Sequence, residues 1–206
     1  MDAAGALSHR APTFEEITGV VLCGGRSSRF GTDKALASLG GRTLLERALD
    51  SLAPARERLL VGRDYGVSGV RFVPDLRPGL GPLAGLEAAL EAASGAWLAL
   101  TACDLPCLTP AYWRFLCSFA GTGRSVVVRR AHGRLEPLAA LYHRAARGEV
   151  AALLDAGVRS MHELLSAVEI VEVSEDAVVA ACGGAVFRNV NRPDDLERHR
   201  ADPCGS

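Results

Sequence analysis

The densest set of residues able to handle a polyphosphate is Gly24-Gly25-Arg26-Ser27-Ser28-Arg29-Phe30-Gly31-Thr32-Asp33-Lys34. Gly24, Gly25 and Gly31 let the backbone approach a ligand with its N–H groups turned inward. Ser27 and Ser28 can donate hydrogen bonds. Arg26, Arg29 and Lys34 set three positive charges against the single acid Asp33, and charge-assisted bonds to phosphate are the strong ones. The spacing excludes two common alternatives. A P-loop needs G-x-x-x-x-G-K-[ST], whereas Gly31 is followed by Thr32-Asp33-Lys34, and a dinucleotide fingerprint would leave the basic residues unexplained.

Lys34 is the one lysine among 23 lysines and arginines. A background that favours arginine so strongly replaces lysines whose role a guanidinium can fill. Lys34 is therefore expected where only a compact point charge fits. Two later segments carry further chemistry. Residues 70–73 lead into Pro74-Asp75 and then Arg77-Pro78-Gly79-Leu80-Gly81-Pro82-Leu83-Ala84-Gly85, where a helix start can turn free N–H groups toward a ligand. Residues 97–101 lead into Ala102-Cys103-Asp104-Leu105-Pro106. An aspartate just past a strand end is a natural hard-oxygen ligand for Mg2+. In isolation the same spacing equally suits a turn or capping aspartate.

Each of these segments follows a short apolar run. The runs 17–23 (ITGVVLC), 58–61, 70–73, 97–101 and 125–129 are continuously apolar, which reads as strands covered on both faces. Helices lie between them. Thr43 and Glu46 form a capping box ahead of Leu44, Leu45, Ala48, Leu49 and Leu52 at helical spacing. Pro82 opens a second helix with Leu83, Leu86, Ala89, Leu90 and Ala93 as its buried stripe. Further helices are predicted over 110–119, 144–155, 162–167 and 193–200, and further strands over 137–142 and 169–173, one of them antiparallel.

Alternating strands and helices mean βαβ units. The fold class is α/β: a single doubly wound, Rossmann-like, mostly parallel sheet with helices on both faces. Ligands bind such sheets outside the carboxyl ends of the strands, where all three segments fall. The expected layout is a flexible N-terminal tail over 1–16, one domain over 17–200 and a C-terminal tail over 201–206. With 49% hydrophobic and 23% charged residues, the chain supports a sizeable core. A formal net charge of −1 provides no global basic excess for a nucleic-acid backbone or an anionic membrane.

Cys23, Cys103, Cys107, Cys117, Cys182 and Cys204 form no C-x-x-C pair and no zinc-ligand set, so free thiols in a reducing compartment are expected. The first residues lack a signal-type apolar run, and no segment approaches the ~18 apolar residues that span a bilayer. A soluble cytoplasmic protein is expected. His162-Glu163 begins like H-E-x-x-H, but Ser166 occupies the last position, so a solvated helix is expected there. Cys103 is expected to be an inert thiol.

The segment LCGGRSSRFGTDK resembles the N-terminal signature of the nucleotidyltransferase family that includes molybdenum cofactor guanylyltransferases. The resemblance continues in that family's order through PGLGPLAGLEAAL, CDLPCLTP, LEPLAALYHRA, DAGVRSMHELL and FRNVNRPDDL, spanning 19–197. It implies the nucleotidyltransferase type of the fold and a set of roles. Leu22, Cys23, Gly24 and Gly25 match the strand-end segment beside the nucleotide, Lys34 the phosphate-binding lysine, and Asp75 a nucleotide-binding aspartate. Gly81, Pro82 and Leu83 belong to the nucleotide side. Asp104 matches the aspartate that binds Mg2+ and touches the nucleotide. Arg29, Arg159, Asn189 and Asn191 match the acceptor side. Lys34, Asp104 and Arg29 are the implied catalytic residues. Gly62 departs from the pattern, since the family often has an asparagine there that contacts the nucleotide. Cys23 replaces a residue that is usually alanine.

LCGG and GPLAG are of the guanine type, whereas relatives using CTP carry LAAG and lack the second segment. The implied reaction is in-line attack by the terminal phosphate of molybdopterin on the α-phosphorus of GTP, with Mg2+ as cofactor and pyrophosphate leaving. Molybdoenzymes or their chaperones and a GTP-binding accessory protein are implied partners, and a monomer or weak oligomer is expected. Two rivals stand: a nucleotidyltransferase using CTP or a sugar-phosphate acceptor, and a catalytically silent GTP-binding homologue.

Overall fold

The computed structural model describes residues 10–24, 33–121, 123–199 and 204. In chain order the elements are β1 (Thr18–Cys23), β2 (Ser38–Leu39), β3 (Arg42–Thr43), α1 (Leu44–Ser51), β4 (Glu57–Gly62), β5 (Arg71–Val73), α2 (Pro82–Ala92) and β6 (Trp97–Ala102). There follow α3 (Pro110–Cys117), β7 (Ser125–Arg129), β8 (Leu135–His143), α4 (Arg147–Asp155), α5 (Met161–Ala167), β9 (Ile170–Ser174), α6 (Glu175–Cys182) and α7 (Pro193–His199). Seven strands form one sheet in the order β5-β4-β1-β6-β8-β7-β9, while β2 and β3 pair with each other.

The strands β5, β4, β1 and β6 are parallel neighbours, and β9 is parallel to β7. Only β8 runs against its neighbours β6 and β7. It returns from β7 through a tight turn in which Gly133 N–H bonds the Arg130 carbonyl, and a turn that short forces antiparallel pairing. As a result the start of β8 lies at the carboxyl edge of the parallel strands.

The apolar runs are continuous because both faces are covered. Val21, Leu60, Ala99 and Val126 pack toward α1, α3 and α6, whereas Val20, Leu59, Leu98 and Val127 pack toward α2, α4 and α5. The capping box of α1 forms as expected: Thr43 Oγ1 accepts from Glu46 N–H at 3.1 Å, and Thr43 N–H donates to Glu46 Oε2 at 2.7 Å.

Several expectations need correcting. The tail expected over 1–16 takes in Phe14, which is 1% exposed in the core and begins a 3-10 turn, Phe14–Glu16, so residues 14–16 belong to the folded domain. A lone aromatic in a polar stretch has no periodicity to betray it. The sequence does not announce the hairpin β2–β3 or the helix α6. Each strand of the former has two residues, and α6 has only Val178 fully buried, so neither carries a readable pattern. Cys107 and Cys204 are not free thiols but a disulfide, with Cα atoms 5.1 Å apart, within bonding range. Their separation of 97 residues hides the pair from any spacing rule and anchors the tail foreseen over 201–206 at Cys204. No helix of the described residues is long and apolar enough to cross a membrane.

Candidate active site

The parallel strands end at a cavity of about 730 Å³, a size suited to a nucleoside. Its floor comes from side chains paired across the sheet: Leu22 stands opposite Val61 on one side and Ala102 on the other, and all three line the cavity. Leu138 of β8 closes the far side, and α2 forms the roof. A Cβ on Gly85 would stand 3.0 Å from Leu22 Cδ2, so glycine here lets α2 lie on the Leu22 side chain without displacing it. At the start of α2, Gly81 adopts φ +81° and Pro82 takes the first position, with no side chain capping the turn. The first-turn N–H groups therefore remain available to a ligand. Leu83 is fully buried and can contribute only its backbone.

Asp75 leans over this floor. Its Oδ2 and Oδ1 lie 3.9 and 3.8 Å from where Cβ atoms on Gly24 and Gly85 would stand. Burial pushes its carboxyl pKa up, which marks a carboxylate short of donors. Such a group accepts hydrogen bonds from a ribose hydroxyl or a base N–H.

Lys34 begins a 3-10 turn, Lys34–Leu36. Asp33 fixes that turn: Oδ1 accepts from Ala35 N–H at 3.1 Å, while Oδ2 accepts from Arg63 Nη1 at 2.7 Å and from the Tyr65 hydroxyl at 2.8 Å. Burial lowers the Lys34 pKa, and the nearby Asp104 opposes the shift, with Cys103 and Asp195. Asp104 is its electrostatic counterpart: burial raises the carboxyl pKa and Lys34 pulls it back. Asp104 Oδ1 is buried and has no hydrogen-bond partner among the described residues. A buried oxygen without a donor fits a hard divalent cation or its bound water. No group of three or more His, Cys, Asp or Glu able to hold a metal occurs among the described residues. A cation here would draw its other ligands from substrate phosphates and water.

The C-terminal segment reaches the same place. Val190 N–H donates to the Asp104 carbonyl at 2.9 Å, which sets the exposed Asn189 and Asn191 beside Asp104. Asp195 Oδ2 fixes the next turn by accepting from the N–H groups of Asn191 and Arg192 at 2.7 and 2.8 Å. Arg159 is exposed just ahead of α5.

Leu22, Gly24, Asp75, Gly81 and Pro82 thus meet at one cavity, with Lys34, Asp104, Asn189 and Asn191 gathered beside it. Gly25 and Arg29, with Arg26, Ser27 and Ser28, lie outside the described residues. Cys23 does not offer its side chain to the cavity. Its Sγ is 3.5 Å from Cys103 Sγ in a buried pair, and that contact together with burial holds the Cys23 thiol firmly protonated. At Gly62, φ is +100° and a Cβ would meet the Cys23 carbonyl oxygen at 2.7 Å. The close approach of β4 to the nucleotide loop demands glycine, which accounts for the missing asparagine. Sequence reasoning overlooked Leu138, whose place in the cavity depends on the antiparallel course of β8. It also misjudged His162, whose Nε2 is buried without a partner among the described residues rather than solvated.

Residues 19–173 match the MobA-like NTP transferase domain family. A protein of Deinococcus radiodurans described as a probable molybdenum cofactor guanylyltransferase is 43% identical over 183 residues, covering 87% of this chain and 92% of that one. One of Opitutus terrae with the same description is 39% identical over 194 residues, covering 89% and 95%. The crystal structure of molybdopterin-guanine dinucleotide biosynthesis protein A from Archaeoglobus fulgidus is similar at a TM-score of 0.78, with 26% identity, over 90% of this chain and 97% of that one. With a matching sequence over most of its length and a matching α/β fold, this chain belongs to the MobA-like NTP transferase domain family.

Proposed function

We propose that the protein transfers GMP from GTP to the terminal phosphate of molybdopterin, releasing pyrophosphate and forming molybdopterin guanine dinucleotide. The observation that carries this reading is the buried, unpartnered Asp104 Oδ1 beside Lys34, at the edge of a nucleoside-sized cavity. The guanine base and the acceptor follow from full-length similarity to relatives described as guanylyltransferases.

The nucleoside lies over Leu22 and Gly24, with Asp75 accepting from its hydroxyl or N–H groups and the first turn of α2 donating to it. Lys34 and the Gly24 amide are assigned to the β- and γ-phosphates, as are Arg29 and Gly25 on the family resemblance alone. Arg159, Asn189 and Asn191 seat the acceptor. An oxygen of the acceptor phosphate attacks the α-phosphorus, a new P–O–P bond forms, and the old bridge to the β-phosphate breaks. The departing electron pair stays on pyrophosphate, where Lys34 stabilises it. A phosphate monoester is already a nucleophile, so no side chain needs to remove a proton. Alignment and charge neutralisation are what this protein supplies. Asp104 would hold Mg2+, which when bound neutralises charge on the phosphates.

The test is incubation of the purified protein with molybdopterin, Mg2+ and either GTP or CTP, following pyrophosphate and product together. GTP is expected to yield equal amounts of pyrophosphate and guanine dinucleotide. A cytosine dinucleotide, or no dinucleotide at all, would overturn the proposal.

A further inference from the structure

Beyond Asp104, β8 brings a carboxylate to the same edge that the reading above does not use. Glu136 pairs with Val128 across the β7–β8 ladder, and directly opposed residues share a face. Val128 packs on the face that also holds Val186, Phe187 and Val190, the segment that carries Asn189 and Asn191. Glu136 therefore sits on the acceptor side of Asp104. The α2 roof and Asp75 lie on the other side, across β6 and β1.

The carboxylate is held from below. Arg130 Nη1 donates to Glu136 Oε2 at 3.1 Å, and Arg130 Nε faces Glu175 Oε2 at 3.1 Å. The Arg130 guanidinium also lies 4.1 Å from the centre of the Phe187 ring. Glu175 in turn accepts from Ala131 N–H at 2.5 Å. These side chains are mostly buried: Glu136 is 21% exposed, Arg130 17% and Glu175 20%. Glu136 Oε1 accepts no hydrogen bond among the described residues. Two carboxylates share one guanidinium. Burial and the nearby Asp104 push the Glu136 pKa up, against the pull of Arg130 and His162. With two carboxylates to one guanidinium, and His162 alongside, this wall disfavours phosphate and presents acceptors. Its complement is a neutral ring edge bearing two adjacent N–H groups.

We propose that Glu136 is a specificity residue that reads the 2-amino-4-oxo edge of the acceptor's pterin ring, accepting from its exocyclic amine and ring N–H. The inference rests on the acceptor named above. It also orients that acceptor, with the pterin against Glu136 and the phosphate toward Asp104 and Lys34. Guanine carries the same edge, but the placement of Glu136 across β6 from Asp75 and α2 favours the pterin.

Two measurements test this with full-length protein. In steady-state kinetics Glu136→Gln is expected to raise the molybdopterin KM about 10-fold or more, as for a lost hydrogen bond to a charged group, with the GTP KM within about two-fold of wild type. Glu175→Gln removes the second partner of Arg130 without touching the ring edge. It should lower Tm while leaving the molybdopterin KM unchanged. An unchanged molybdopterin KM in Glu136→Gln, or a matching rise in the GTP KM, would overturn the assignment. The second measurement is binding of free pterin and of its 2-oxo analogue lumazine, read by fluorescence. Wild type should prefer pterin and Glu136→Gln should not. This holds independently of turnover: if wild type forms no dinucleotide yet discriminates pterin from lumazine through Glu136, the reaction assignment fails and this one stands. Equal binding of the two rings by wild type would sink it.

Discussion

Restoring asparagine at Gly62, the side chain that the family often carries there, is expected to damage fold and nucleotide site together. The backbone at Gly62 has φ +100°, a region that side chains of L-residues resist by roughly 1–2 kcal/mol. The new Cβ would stand 2.7 Å from the Cys23 carbonyl oxygen and 3.3 Å from its carbon, with Gly24 Cα at 3.5 Å. These are backbone atoms of the central strand, so no side-chain rotation relieves the clash. The carbonyl must retreat by roughly 0.7 Å to reach ordinary contact. Backbone shifts of this kind in a packed interior cost about 1–3 kcal/mol. The combined loss is about 3 kcal/mol, equivalent to a Tm lowered by roughly 6–12 °C in a domain of this size. Because the Cβ makes the clash, Gly62→Ala should match Gly62→Asn. The same displacement moves Cys23 and Gly24 beneath the nucleotide, so the GTP KM should rise about 10-fold. Thermal melts followed by circular dichroism, paired with GTP kinetics, check both effects. A Gly62→Asn protein melting within about 2 °C of wild type would refute the reasoning.

Asp104→Asn keeps the shape but removes the charge at Asp104 Oδ1. Turnover should fall by at least about 10²-fold with the fold retained, and wild-type rates at limiting Mg2+ would take Asp104 out of the metal site. Lys34 is the single ε-amine of the chain, and burial lowers its pKa, so an amine reagent should inactivate the enzyme unless GTP and Mg2+ are present. Lys34→Arg should lose about 10²-fold in rate, and full activity would show that the lone lysine is incidental. Denatured without reductant, the protein should show the four thiols of Cys23, Cys103, Cys117 and Cys182, and two more after reduction. Six at the outset would remove the Cys107–Cys204 bond. Burial pushes the Glu57 carboxyl up, but bonds from Ser94, Arg71 and Thr18 outweigh it and hold the pKa at about 2. Its stabilisation is therefore complete above about pH 4.5 and lost as pH falls toward about 2. Glu57→Gln should lower Tm at pH 7 and change little near pH 2, and an equal loss at both would contradict this.

Whatever depends on neighbours in the chain was open to reading from the sequence. The apolar runs, the Thr43–Glu46 capping box, Pro82 at the head of α2 and the basic glycine-rich loop express themselves within a few residues, because propensity, capping and periodicity are local. Even the α/β class follows, since strands that alternate with helices have few ways to bury both faces. The rest depended on which strands become neighbours. Only the sheet order brings Asp104 beside Lys34 and leaves Oδ1 without a donor. Only the antiparallel course of β8 carries Glu136 to the acceptor side, and only the β1–β4 register makes glycine obligatory at position 62. Phe14 and the Cys107–Cys204 bond join the list for the same reason. Desolvation, orphaned oxygens and close backbone approaches arise between residues tens of positions apart, and no pattern along one segment records them.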